Sequence, residues 1–337
     1  YFCIMLLSIW DIKWEEISNM DKFSKIDILM AIYKPNLKWL EEQLISLNNQ
    51  TYENLNLIVW NDCPDDNFNY NEFFNKYITK FKFKIYKGKT NLGSNKAFEE
   101  LTKLAKSEYV AYCDQDDIWL PEKLSKLVLK MQETNADLIC SDMFVIDKNS
   151  KVVADKITKV RLHQIFYKGS NLFEYLFSKN FVTGCTTLVK TEFAKSMLPF
   201  PDEYVHDWWM GICAAKNNKL EIFEESLIKY RIHDSNQTGI LGGINKKRDY
   251  YEKRIKLVLK RSEILVKRFG RTDSINQFKK YAESRMNYYE KQNFENFYKF
   301  FKLRKFNNST TYFELILPFL PECIFKFIIA QIKKGRI

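Results

Sequence analysis

Glu108-Tyr109-Val110-Ala111-Tyr112-Cys113-Asp114-Gln115-Asp116-Asp117 decides how this chain folds. A run that reads as a buried strand leads directly into three carboxylates within four positions. Like charges at that distance repel, and a divalent cation is the obvious compensation. Carboxylate oxygens are hard ligands suited to Mg2+ or Mn2+, and Mg2+ is usually held by one or two carboxylates together with substrate phosphates. The same residues also suit a strand-end turn or a helix N-cap, because Asp favours both.

Upstream, Ile26–Ile32 is a strand-like apolar run broken at Tyr33-Lys34-Pro35-Asn36, and Leu37, Leu40, Leu44 and Leu47 then recur at helical spacing. Leu55–Trp60 is a second apolar run, closed by the turn-forming Asn61-Asp62-Cys63-Pro64-Asp65-Asp66. A helix over Phe68–Tyr77, a strand over Phe81–Tyr86, a turn at Asn91-Leu92-Gly93 and a helix over Asn95–Lys106 lead to the acidic run. Downstream, Pro121–Thr134 reads as a helix with Pro in its first turn, and Asp137–Ser141 as a strand. Strands alternating with helices predict an α/β fold with a mainly parallel twisted sheet flanked by helices. In such sheets ligands bind at the carboxyl ends of the strands, where Asp62 and the 114–117 cluster both fall.

Beyond about residue 150 the alternation weakens. Phe181–Val189 is apolar with Gly184 inside it, a helix opens near His206-Asp207-Trp208-Trp209, and Leu227–Ile232 reads as a strand ahead of His233. Residues 246–306 are rich in Lys, Arg, Tyr and Phe with a helical pattern, and an apolar tail follows. The predicted organisation is an N-terminal extension over 1–24, a catalytic domain over 25–240 and a basic, aromatic-rich helical region over 241–337.

The chain has 337 residues, 46% of them hydrophobic, enough for a substantial core. Its net charge of +11 favours anionic partners: nucleotides, nucleic acid or an anionic membrane surface. Seven scattered cysteines, none at metal-binding spacing, predict buried free thiols in a reducing compartment. No tract of about 20 apolar residues occurs, so no transmembrane helix is expected.

The ordered set Ile28–Ile32, Tyr33-Lys34-Pro35, Trp60-Asn61-Asp62-Cys63, Asn91-Leu92-Gly93 and Asp114-Gln115-Asp116-Asp117-Ile118-Trp119 resembles the nucleotide-binding half of family 2 glycosyltransferases, which have the GT-A fold. The resemblance spans roughly residues 25–240. It implies a metal-dependent, inverting transfer of a sugar from a nucleoside diphosphate to an acceptor hydroxyl. By that resemblance Asp62 bonds the donor's base, flanked by Ala31 and Tyr33; Asn91, Gly93 and Lys96 lie near the donor. Asp114 and Asp116 match the DxD motif: Asp116 would contact Mg2+ or Mn2+ directly, Asp114 the ribose or the metal through water, and Asp117 could share in either role. Gln115 and Trp119 would also face the donor, Trp119 as a wall of the sugar site or else as a core residue.

His206-Asp207 matches the family's catalytic acid pair, with His in place of the first acid. Asp207 is then the general base, although an Asp at a helix start also serves as a cap. Gly184, His206 and Trp208 fall on the acceptor side. Tyr230-Arg231-Ile232-His233 with Gln237 resembles the segment in which Arg approaches the diphosphate and His completes the metal shell. The motif combination is most similar to rhamnosyltransferases using dTDP-rhamnose, with UDP-sugars as alternative donors. A saccharide or lipid-linked saccharide is the implied acceptor, in bacterial surface polysaccharide assembly. The basic, aromatic C-terminal region suits peripheral contact with an anionic membrane on its cytoplasmic face.

Two other classes compete with this reading. A nucleic-acid-binding protein fits the net charge, but carboxylates at several strand ends oppose it and no nucleic-acid motif occurs, so no nucleic-acid partner is expected. A nucleotidyltransferase would carry a Gly-rich, basic phosphate loop after the first strand, where this chain has Tyr33-Lys34-Pro35-Asn36.

Overall fold

The computed structural model describes residues 24–160, 165–233 and 241–333. Most of the expected N-terminal extension, and Gln237, lie outside the described residues. The chain forms two compact units, one of residues up to Lys159 with Val182–Ile232, the other of Val160–Phe181 with the residues from His233 onward.

The first unit is built on one sheet. β1 (Ile26–Ile32) is buried at every position but Ala31, as a central strand covered on both faces must be. α1 (Leu37–Asn48) starts where the Asn36 side chain accepts hydrogen bonds from the N–H groups of Lys38 and Trp39, and it buries Leu40, Leu44 and Leu47. β2 (Leu55–Asn61), α2 (Tyr70–Tyr77), β3 (Lys82–Lys87), α3 (Ser94–Leu104), β4 (Tyr109–Cys113), the two-residue β5 (Ile118–Trp119) and α4 (Lys123–Thr134) follow. β6 (Leu138–Ile146), β7 (Val152–Ala154), α5 (Leu172–Tyr175), β8 (Thr187–Lys190), α6 (Thr191–Ser196), α7 (His206–Lys216) and β9 (Leu220–Arg231) complete this half of the chain, α5 belonging to the second unit.

The strand order is β3-β2-β1-β4-β8-β6-β9-β5, with β7 on β6. The expected parallel arrangement holds for β3-β2-β1-β4 and for β6-β9. The β4–β8, β6–β8, β5–β9 and β6–β7 pairs run antiparallel, so the sheet as a whole is mixed. Chain order explains the change. Up to β4 each strand is followed by a crossover helix, whereas β8 enters the sheet from a turn between β4 and β6. β6 and β9 are longer than their apolar runs suggested, because the pairing between them extends each into mixed sequence.

The second unit is helical, containing α8 (Lys247–Tyr250), a π-turn over Tyr251–Lys256, α9 (Leu257–Phe269), α10 (Asp273–Glu290), α11 (Phe294–Lys302), α12 (Asn308–Ile316) and α13 (Glu322–Lys333). One of its apolar clusters gathers Ile244, Tyr250, Tyr251, Ile255, Leu317, Phe325 and Ile329. The buried Arg285 donates from Nε to Glu314 Oε2 at 2.8 Å, and Tyr250 donates its hydroxyl to Glu314 Oε1 at 3.0 Å. No helix among the described residues is long and apolar enough to cross a membrane.

Candidate active site

Because β2, β1 and β4 are parallel neighbours, their carboxyl ends fall on one edge of the sheet, with Ile32 opposite Asn61 and Met30 opposite Cys113. A cleft of about 770 Å3 opens at that edge, lined by Tyr33, Lys34, Cys63, Asp66, Lys89 and Asn91 among others. Ala31, paired with Trp60, leads into it.

Asp62 is buried, and its carboxylate accepts from Trp60 Nε1 at 3.2 Å, Leu92 N at 3.0 Å and Gly93 N at 2.8 Å. It therefore fixes the Asn91–Gly93 turn, whose Asn91 side chain accepts from Gly93 N at 3.0 Å. Gly93 adopts φ +77° with open space where a Cβ would stand, so conformation and not room demands glycine there. Gln115 brackets the backbone of Tyr33. Its Oε1 accepts from Tyr33 N at 2.8 Å and its Nε2 donates to Tyr33 O at 3.3 Å. Expected to face the donor, Gln115 instead holds the exposed Tyr33 at the cleft rim.

Three further donor-side candidates are found with protein partners. Lys96 was expected near the phosphates, but its ammonium is paired with Glu99 at 3.1 Å and Asp202 at 3.3 Å. Trp119 is a core residue and not a wall of the sugar site: it is 2% exposed, and Lys123 Nζ lies 3.1 Å from its ring centroid. Arg231 is wholly buried, and its guanidinium is committed to Asp116 O at 2.8 Å, Asp147 O at 3.1 Å, Ser150 Oγ at 2.9 Å and the Glu42 carboxylate. Its own N–H donates to Asp117 Oδ1 at 3.0 Å. Arg231 thus clamps the acidic turn from beneath.

The acidic turn carries unbalanced charge. Asp117 is fully buried, and its Oδ2 has no hydrogen-bond partner among the described residues. Burial, then Asp116 and Asp114, push the Asp117 carboxyl well above the usual carboxylate range. Asp114 is pushed up to about 7 by burial, then by Asp116 and Asp207. Ligand atoms of Asp114, Asp117 and Cys185 lie within 4.8 Å of one another. The orphaned Asp117 oxygen and the crowded carboxylates fit a hard divalent cation, whereas the Cys185 thiol, pushed up by burial, is not a hard ligand. His233 stands two residues beyond β9, where the second unit resumes.

Asp207 lies in the first turn of α7, two residues past the N-cap Val205. Its Oδ2 accepts from Gly184 N at 2.8 Å. Asp207 is one of the charges that raise the Asp114 carboxyl, after burial and Asp116. Gly184 has a steric reason to be glycine, since a Cβ there would stand 2.8 Å from His206 Nε2 and 3.7 Å from Asp207 Oδ2. His206 was expected to face the acceptor. Instead it is 7% exposed, with ring centroids of Phe98 at 4.5 Å and Tyr112 at 4.8 Å, and burial lowers its pKa to about 3. Burial thus favours the neutral ring, whose Nε2 has no hydrogen-bond partner among the described residues, while Trp208 is half-buried with its ring edge-on to Tyr204.

The model of the family described as glycosyl transferase family 2 matches residues 27–198. The chain belongs to that family. It is similar to an uncharacterised glycosyltransferase of Methanocaldococcus jannaschii, 30% identical over 69% of this chain and 79% of that one. It is also similar to a UDP-Glc:α-D-GlcNAc-diphosphoundecaprenol β-1,3-glucosyltransferase of Escherichia coli, 26% identical over 62% of this chain and 79% of the other. A dTDP-rhamnosyl transferase of Shigella flexneri is 24% identical over 62% and 73%. In fold, the chain is similar to S. aureus TarS 1–349 in complex with UDP-GlcNAc, at 16% identity and TM-score 0.57 over 93% of this chain and 88% of that one. It is likewise similar to the Pyrobaculum calidifontis mannosyltransferase in complex with GDP-Man and Mn2+, at 12% identity and TM-score 0.53 over 94% and 87%.

This family 2 glycosyltransferase holds site residues that its sequence did not announce. Lys123, the first residue of α4, is wholly buried and donates to Cys185 O at 2.6 Å. Burial lowers its pKa to about 7, against the opposing pull of Cys185, Cys113, Asp117 and Asp114. Lys123 thus anchors the Gly184–Thr186 turn that grips Asp207. Asn95 accepts from His206 N at 2.7 Å and donates to Tyr204 O at 3.1 Å, fixing the start of α7. Lys123 reads in sequence as an ordinary amphipathic-helix lysine, and only its position two residues after Pro121 hints at an inward first turn.

Proposed function

We propose that the protein transfers a sugar from a UDP- or dTDP-sugar to an acceptor hydroxyl, with inversion, in bacterial surface polysaccharide biosynthesis. The observation that carries the reading is the Asp207 carboxylate, held by Gly184 N at 2.8 Å beside an acidic turn whose Asp117 oxygen lacks a partner. The nucleoside occupies the cleft at the ends of β1, β2 and β3, with Tyr33 and Asn91 on its walls. Asp114 and Asp116, with Asp117 behind them, would hold Mg2+ or Mn2+, which would supply positive charge to the departing diphosphate. Asp207 takes the proton of the acceptor hydroxyl as that oxygen attacks the anomeric carbon. The bond to the diphosphate oxygen breaks in the same displacement, and the nucleoside diphosphate leaves with both electrons. No covalent sugar–enzyme species is needed.

The named activities of the Escherichia coli and Shigella flexneri relatives support a pyrimidine-nucleotide donor. The former's diphosphoundecaprenol substrate supports a lipid-linked saccharide acceptor and a peripheral place on the cytoplasmic membrane face. The test is nucleotide release, as the diphosphate from UDP-, dTDP- and GDP-sugars and as CMP from CMP-sugars, with and without Mn2+. Release from a pyrimidine diphosphate sugar that disappears in Asp116→Ala and Asp207→Ala is the expected result. Wild-type rates in both variants would overturn the mechanism.

A further inference from the structure

α13 is apolar on two opposite sides. Its inner side buries Phe325 and Ile329 in the core of the second unit. A helix with one apolar stripe normally turns polar residues outward. Here the outward side instead carries Ile324 and Phe327, 45% and 64% exposed, and the nearby Phe319 is 70% exposed.

The same helix also borders a lysine-rimmed groove. Lys246, Lys326 and Lys333 rim a groove of about 420 Å3 floored by Ile244, Ile329 and Ala330. Lys333 Nζ is tethered to Ile244 O at 2.9 Å, while Lys326 has no salt bridge among the described residues. Residues 241–337 hold 23 Lys and Arg against 9 Asp and Glu; the other 240 residues hold 30 against 33. The whole positive excess of the chain therefore belongs to this region.

Protruding aromatic and aliphatic side chains on a lysine-bearing helix match a bilayer interface, where apolar groups enter the headgroup–acyl boundary and cations meet lipid phosphates. We propose that α13 docks the protein on an anionic phospholipid surface, with Ile324 and Phe327 inserted and lipid phosphate seated in the lysine-rimmed groove. The proposal deepens the peripheral placement put forward with the function and is tested separately from it.

The experiment is flotation of the full chain with phosphatidylcholine vesicles, alone or with about 30 mol % phosphatidylglycerol. Binding should require the anionic lipid and weaken as NaCl rises from about 0.1 M to about 0.5 M. The double variant Ile324→Ser/Phe327→Ser should bind about tenfold more weakly, and Lys326→Glu should also lose binding. Unchanged nucleotide-sugar hydrolysis would show that each variant is folded. Equal binding to neutral and anionic vesicles, or wild-type binding by the double variant, would overturn the proposal. So would a dimer in solution that the double variant dissolves while vesicles go unbound. Anionic vesicle binding without any nucleotide-sugar turnover would sink the proposed function and leave the docking surface standing.

Discussion

Buried charge is treated in opposite ways in the two units. In the second, Arg285 and Glu314 meet through Nε and Oε2 at 2.8 Å, with Tyr250 capping the remaining carboxylate oxygen at 3.0 Å. In the first, Asp114 and Asp117 crowd beside Asp116 and Asp207 with Lys123 as the buried cation, and Asp117 Oδ2 is left without a partner among the described residues. A fold that needed only stability would satisfy both sets, as the helical unit does. Unsatisfied buried charge at the carboxyl edge of a sheet is a cost that binding of a cation and a charged substrate can relieve.

The largest effect that separates the units is chemical. Asp207→Asn should lower kcat about 10^3-fold, because the base is lost while the Gly184 hydrogen bond can survive. Nucleoside diphosphate release measures it, and vesicle flotation should be unchanged. A normal rate in that variant would remove Asp207 from the chemistry.

Next is Gly184→Ala. The added Cβ meets His206 Nε2 at 2.8 Å, and displacement of the turn that holds Asp207 should cost about 10^2-fold in kcat. A proportional loss of thermal stability without a change in the kcat of the folded protein would show that Gly184 serves packing alone.

Stability should distinguish the two buried sets directly. Glu314→Gln and Lys123→Met each remove one partner from buried charge and should each cost on the order of 3 kcal/mol in denaturant unfolding. Mn2+ should recover part of the loss in Lys123→Met, because a cation at Asp114 and Asp117 replaces the missing charge. It should recover none in Glu314→Gln. Equal recovery in both would break the comparison.

The smallest effect is a pH dependence. The Asp114 carboxyl is raised to about 7 in the folded protein, chiefly by burial, so the folded state holds its proton more tightly than the unfolded chain does. Its contribution to stability is complete below about pH 4 and is lost as pH rises through about 7. Asp114→Asn should therefore stabilise the metal-free protein at pH 8 relative to wild type and flatten its melting temperature between pH 4 and 8. An unchanged slope would show that Asp114 is not held in its protonated form.

Local chemistry made much of this legible. The apolar runs of β1, β2 and β4, and the Asp residues just beyond β2 and β4, follow from periodicity and turn composition. Arg231 and Trp119 show where such reading ends. Both residue types suit a sugar nucleotide, yet β9 carries Arg231 beneath the acidic turn and β5 carries Trp119 into the core. His206 likewise looks like a site histidine and is an aromatic-boxed core residue.

The sequence by itself determined the strand–helix alternation, the acidic turn at a strand end and the charge of the C-terminal region, because each depends on neighbours a few residues apart. Tertiary structure alone decided that Lys123 reaches Cys185 across 62 residues, that Asp207 meets Gly184 across 23, and that an Asp117 oxygen is left open. Those contacts depend on how β8 enters between β4 and β6, a choice made by packing of the whole sheet and written in no single stretch of the chain.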